Sequence, residues 1–139
     1  MYKKKITYTN LNDEEVTETL YFSLSRKEAL KIMNKYIGTD YDKKAVTDFI
    51  SKVTKTKDVM TIISFIEDII LSAYGEKSED GNRFIQTKEV KDKFESSIAY
   101  AELFERFITN SDELKEFVNN VASSIAPKTA TPTTASVVS

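Results

Sequence analysis

The sequence predicts an α+β domain: an N-terminal β-hairpin, a helical body of about five or six helices, and a disordered C-terminal tail. Three observations carry this. Lys3 to Thr9 and Glu15 to Phe22 alternate polar and apolar residues, the period of half-buried strands. From Ser25 to Ile125 apolar residues recur at helical spacing between capping residues. From Pro127 to Ser139 the chain is Thr, Ala, Ser and Pro around Lys128, with no core-forming content before Val137-Val138. The predicted organisation is one domain over 1–126, with the hairpin at 1–24, the helical body at 25–126 and a flexible tail at 127–139.

The hairpin comes first. Ile6 and Tyr8 point one way and Lys5, Thr7 and Thr9 the other. Val16, Leu20 and Phe22 share a face opposite Glu15, Thr17 and Thr19, and Asn10 to Glu14 supplies the turn formers. A lone hairpin is marginal in water, so it must pack on the helices or pair with something else. Lys3-Lys4-Lys5 is expected to be a solvated edge that discourages sheet extension.

Helices follow. Ser25 to Glu28 has the capping-box spacing, and Ala29, Leu30, Met33 and Ile37 form a stripe that Gly38 ends. Asp42 caps a second helix through Ala45, Val46, Phe49, Ile50 and Val53. After the link Lys55 to Lys57, Asp58 caps a third. Thr87 caps a helix through Val90 and Phe94, and Ser96-Ser97 is a break. A broad aromatic stripe follows, with Ile98, Ala101, Phe104 and Ile108 beside Tyr100, Leu103 and Phe107. Asn110 ends that helix. Ser111 caps the last, which runs through Leu114, Phe117, Val118, Val121 and Ile125 until Pro127 stops it.

The third helix, Val59 to Tyr74, organises the rest. Thr61, Ser64, Asp68 and Ser72 fall on one side, and Val59, Ile62, Ile63, Ile66, Ile69, Ile70 and Ala73 on the other. Met60, Phe65 and Leu71 widen the apolar stripe, so several neighbours must bury it. It is short for a bilayer span and carries Glu67-Asp68. Gly75 stops it, and a polar loop leads to Phe84-Ile85, which return to the core.

Composition excludes much chemistry. The chain of 139 residues has no Cys and no His. Disulfides, zinc sites on those ligands, and Ser-His-Asp or Cys-His nucleophiles are therefore ruled out. The glycines are Gly38, Gly75 and Gly81, too few and too scattered for a phosphate-binding loop. With 20 basic and 22 acidic residues and a net charge of -2, nothing attracts nucleic acid or anionic membrane globally. No cofactor is expected.

Acidic neighbours such as Glu67-Asp68 could hold magnesium or run hydrolysis, but they sit on helix flanks, helix starts and turns, where acids serve caps and solubility. Glu76, Ser78, Asp80 and Gly81 mimic part of a calcium loop. Thr87 stands where the bidentate Glu is needed, so a surface turn on Asp80-Gly81 is expected instead. The aromatic residues are first of all core. A second reading makes Tyr100, Leu103, Phe104 and Phe107 a partner-binding patch.

Ala73 to Ile85, Ala99 to Phe104, and the opening hairpin with Tyr21 to Ser25 together resemble the tail assembly chaperones of long-tailed bacteriophages and prophages of Gram-positive bacteria. The likeness runs from about the start to Ile125 in the same order. The tail after Pro127 departs from the family's pattern. The resemblance implies a non-catalytic factor that coats the tape-measure protein and helps recruit tail-tube subunits. It implies action in the host cytoplasm and absence from the finished particle, with self-association left open. Some members exist in a second, frameshifted length. The alternatives are a tail or connector subunit retained in the virion and, from another class, a small metal-dependent hydrolase using Glu67 and Asp68.

Overall fold

The computed structural model describes residues 1–38 and 41–122. Strand β1 (Tyr2–Thr9) pairs antiparallel with β2 (Glu15–Phe22), from Tyr2 opposite Phe22 to Thr9 opposite Glu15. The turn between them is held by Asn10, whose Oδ1 accepts from the N–H of Asn12 at 2.9 Å and of Glu14 at 3.0 Å. The alternation places Ile6, Leu20 and Phe22 in the core. Six helices follow: α1 (Arg26–Tyr36), α2 (Lys43–Lys55), α3 (Val59–Ala73), α4 (Lys88–Glu95), α5 (Ile98–Thr109) and α6 (Ser111–Val121). The predicted α+β class, an N-terminal hairpin followed by about five or six helices, is the observed one, with six helices among the described residues. The expected extension of α6 through Ile125 to Pro127, and the flexible tail at 127–139, lie outside the described residues.

Two strands went unforeseen. Between α3 and α4 the chain forms β3 (Tyr74–Lys77) and β4 (Phe84–Ile85), giving an antiparallel sheet of order β1-β2-β3-β4. The hairpin therefore gains a third strand along β2, with Tyr21 opposite Gly75 and Phe22 opposite Tyr74. The pattern hid them because β4 has 2 residues and β3 has 4, too few to show alternation. Gly75 is consequently not a left-handed helix stop. It lies in the ladder, where a Cβ would come within 2.7 Å of the Phe84 ring and 2.8 Å of Gln86 Cγ. Gly38 does end α1, with φ +123° and its N–H returned to Met33 O at 3.0 Å.

The expected caps Ser25, Asp42, Asp58 and Thr87 each accept from the backbone N–H three residues on. Ser97, expected only as part of a break, caps α5 in the same way. At α6 the cap is Asn110, not Ser111, with Asn110 Oδ1 accepting from Glu113 N–H at 3.1 Å. Asn110 serves both helices because its backbone N–H also closes α5 onto Arg106 O. At the end of α2, Asp58 N–H reaches Val53 O at 3.1 Å and Lys57 N–H reaches Thr54 O at 3.3 Å. This paired return places Lys57 at φ 56°, a position that usually goes to glycine.

Helix α3 lies at the centre. Phe65, Ile66, Ile69, Ile70 and Ala73 are fully buried. Its first turn is not: Val59 is 52% and Met60 72% exposed, because the stripe outruns the neighbours that cover it. On α1 the buried face is Ala29, Ile32 and Met33, and Leu30 points outward instead. Two aromatic clusters flank α3. Phe22 meets Phe117 edge-on at 4.9 Å, and Tyr74 stacks on Phe94 at 3.7 Å between centroids, 6° from parallel. On the other side Phe65 meets Tyr36 at 5.2 Å and Phe49 at 5.1 Å. Such pairs add about 0.5–1.5 kcal/mol each beyond their burial.

Candidate functional site

The carboxylates were the first candidates for chemistry. Asp68 Oδ2 accepts from Lys35 Nζ at 2.9 Å and from the Tyr36 hydroxyl at 2.7 Å. It ties α3 to α1. Burial, then the Asp68 hydrogen bond, pushes the Tyr36 phenol up, and the same carboxylate pushes Lys35 up. Glu67 lines a shallow groove with Glu28, Gln86 and Lys91. Among the described residues no group of three or more Asp or Glu side chains could hold a metal ion.

The groove's floor is the C-terminal end of α3, and its carbonyls can be followed one by one. Ile70 O accepts from Tyr74 N–H, and Ala73 O accepts from Ser23 N–H at 2.9 Å. Leu71 O and Ser72 O have no backbone donor, so Lys91 Nζ reaches across from α4 to both. It also reaches Tyr74 O at 3.2 Å. The Gln86 amide lies within 3.2–3.4 Å of the carbonyls of Ser23, Ser72, Ala73 and Tyr74, which share its two N–H groups. An ammonium at a helix C-terminus also meets the negative end of its dipole. Burial pushes the Lys91 amine down, opposed by Glu28. Sequence reasoning missed Gln86 and Lys91, because capping by residues distant in the chain leaves no local spacing to read.

The loop that mimics a calcium site uses its oxygens internally. Asp80 Oδ1 accepts from the Ser78 hydroxyl at 2.6 Å and from Asn82 N–H at 3.0 Å, and Ser78 Oγ accepts from Arg83 N–H at 3.0 Å. These bonds, the Ser78 hydroxyl first, hold the Asp80 carboxyl below its usual range. Gly81 has φ +75°, as the expected Asp80-Gly81 turn requires. Ser78 to Arg83 is the turn of the β3–β4 hairpin.

The four aromatic-stripe candidates divide. Leu103 and Phe107 are fully buried and Tyr100 nearly so; Phe104 alone of the four is half-buried. Three of them therefore pack the domain, because α5 turns that face toward α3 and β1. The Tyr100 hydroxyl is buried without a hydrogen-bond partner. Apolar side chains that do reach solvent lie elsewhere: Val59, Met60, Leu30, and Leu11 at the hairpin tip, 89% exposed. Among the described residues no helix is long and apolar enough to cross a membrane.

This molecule has a helical body, a small sheet, tied-up carboxylates and several open surfaces. A search of curated proteins returns no match, and neither does a search of solved structures. The model of one protein family, phage tail assembly chaperone, matches residues 1–130 and so takes in both hairpins and all six helices. The chain belongs to the phage tail assembly chaperone family.

Proposed function

We propose that this chain is a non-catalytic assembly factor that binds the tape-measure protein in the host cytoplasm, helps recruit tail-tube subunits, and leaves before the particle is complete. The family match over residues 1–130 carries the reading. The surfaces support it. Tape-measure proteins are expected to present long apolar helices, and the open first turn of α3, with Val59 and Met60, offers apolar area next to the basic end of α2, Lys52 and Lys55. On α5, Phe104 is the member of the aromatic patch with surface to give a partner.

Co-expression tests it. An affinity-tagged chain should retain the tape-measure protein of the same phage through purification, and Val59→Ser/Met60→Ser should weaken retention without lowering thermal stability. No retention by the unaltered chain would count against the reading.

A further inference from the structure

We propose that the free edge of β1 takes an extended acidic segment of a partner protein by strand addition, with the segment's carboxylates lying over Lys3 and Lys5. Strand β1 ends the sheet. Apart from its ladder with β2, no backbone group of Tyr2–Thr9 bonds to another described residue up to the Asn10 turn. Such a row of unpaired N–H and C=O groups is a template for one more strand.

Charge says which strand. The outward side chains at the open end of the hairpin are basic: Lys3 and Lys5 are exposed, and Lys77 and Arg83 follow across the same face. Lys3 Nζ and Lys77 Nζ stand 5.9 Å and 5.3 Å from the centre of the Tyr21 ring. Of the hairpin's own acids, Asp13 to Glu15 lie at its turn, and Glu18 shares the opposite face with Ile6, where it accepts from the Tyr8 hydroxyl at 2.7 Å. A segment with carboxylates at alternate positions would match this face, and one with lysines would be repelled.

The inward Lys4 would ordinarily guard the edge, because an added strand would trap its charge. Here Lys4 Nζ already meets Glu113 at 3.0 Å, with Arg106 at 3.6 Å on the same carboxylate. An incoming strand therefore covers an ammonium that already has a carboxylate partner. A second copy of this chain fits poorly, since its β1 has no carboxylate to set opposite Lys3 or Lys5.

A synthetic probe tests this without the tape-measure protein. The isotope-labelled full chain would be titrated with a peptide as long as β1, 8 residues, alternating Glu and Val, and with a Lys-Val peptide as control. Amide shifts confined to Tyr2–Thr9 and its neighbours on β2, with the acidic peptide alone, are expected. Lys3→Glu/Lys5→Glu should weaken binding about tenfold, and Lys3→Gln/Lys5→Gln less, with the remaining amides unmoved as proof of folding. The proposal is overturned by shifts centred elsewhere, by no shift, or by equal response to both peptides. It is also overturned if β1 shifts with protein concentration alone, which would make the edge a contact between copies.

Discussion

Lys91 holds the carbonyl of Ser72 at 3.1 Å across the gap between α4 and the end of α3. One ammonium thereby satisfies carbonyls that the helix leaves open and joins α4 to the corner where α3 passes into β3. Replacing it by Ala leaves the Leu71 carbonyl without a donor and leaves Ser72 and Tyr74 to the shared Gln86 amide. The expected cost is about 1–3 kcal/mol in urea unfolding. Gln86→Ala should cost less, because Ser23 N–H still serves Ala73. A Lys91→Ala variant as stable as the parent would show that water replaces the cap.

Gly75 is constrained by a neighbour rather than by its backbone angle. A Cβ there meets the Phe84 ring and Gln86, so Gly75→Ala must push the ring out or open the ladder. The expected loss is about 1–3 kcal/mol. Adding Phe84→Ala should recover part of it, a coupling that a double-mutant cycle measures.

Tyr100 links packing to pH. Burial, with Glu67 and Glu95 adding repulsion, pushes its phenol up to about 12. The unfolded phenol titrates near 10, so the folded chain keeps a proton that the unfolded chain loses. This contribution is whole below about pH 10 and disappears as pH rises toward 12. Burial pushes Tyr74 the same way. Tyr100→Phe should flatten that alkaline fall. At neutral pH it should gain about 1 kcal/mol, since it deletes a buried hydroxyl with no partner. Unfolding at pH 7 and near pH 11 gives both readings.

On α5, Phe104 and Phe107 should behave differently. Phe107→Ser opens the core and should cost about 3–5 kcal/mol. Phe104→Ser should change stability by about 1 kcal/mol or less and weaken co-purification with the tape-measure protein. If Phe104→Ser unfolds the domain, or leaves co-purification unchanged, α5 is core alone.

The hairpin, the helix order and most caps were legible because each rests on a few adjacent residues. Ser25, Asp42, Asp58 and Thr87 stand three residues from the amides they bind. What stayed hidden depends on distant partners. Strand β3 exists because Tyr21 and Phe22 pair with it, and Lys91 caps a helix 17 to 20 residues upstream. Val59, Met60 and Leu30 satisfy a helical period yet face solvent, since periodicity names a face and not how far neighbours cover it. Tyr100, Leu103 and Phe107 illustrate the converse: an aromatic stripe suits a docking patch and a core equally until the packing is known.

If the chain binds the tape-measure protein as proposed, it should keep that protein's apolar helices soluble during assembly. The most direct measurement is the soluble fraction of that protein, expressed with and without this chain and separated by centrifugation. The tape-measure protein is expected to sediment when made alone and to stay in the supernatant, bound to the chain, when both are made. A tape-measure protein equally soluble without the chain, or insoluble with it, would rule out this chaperone role.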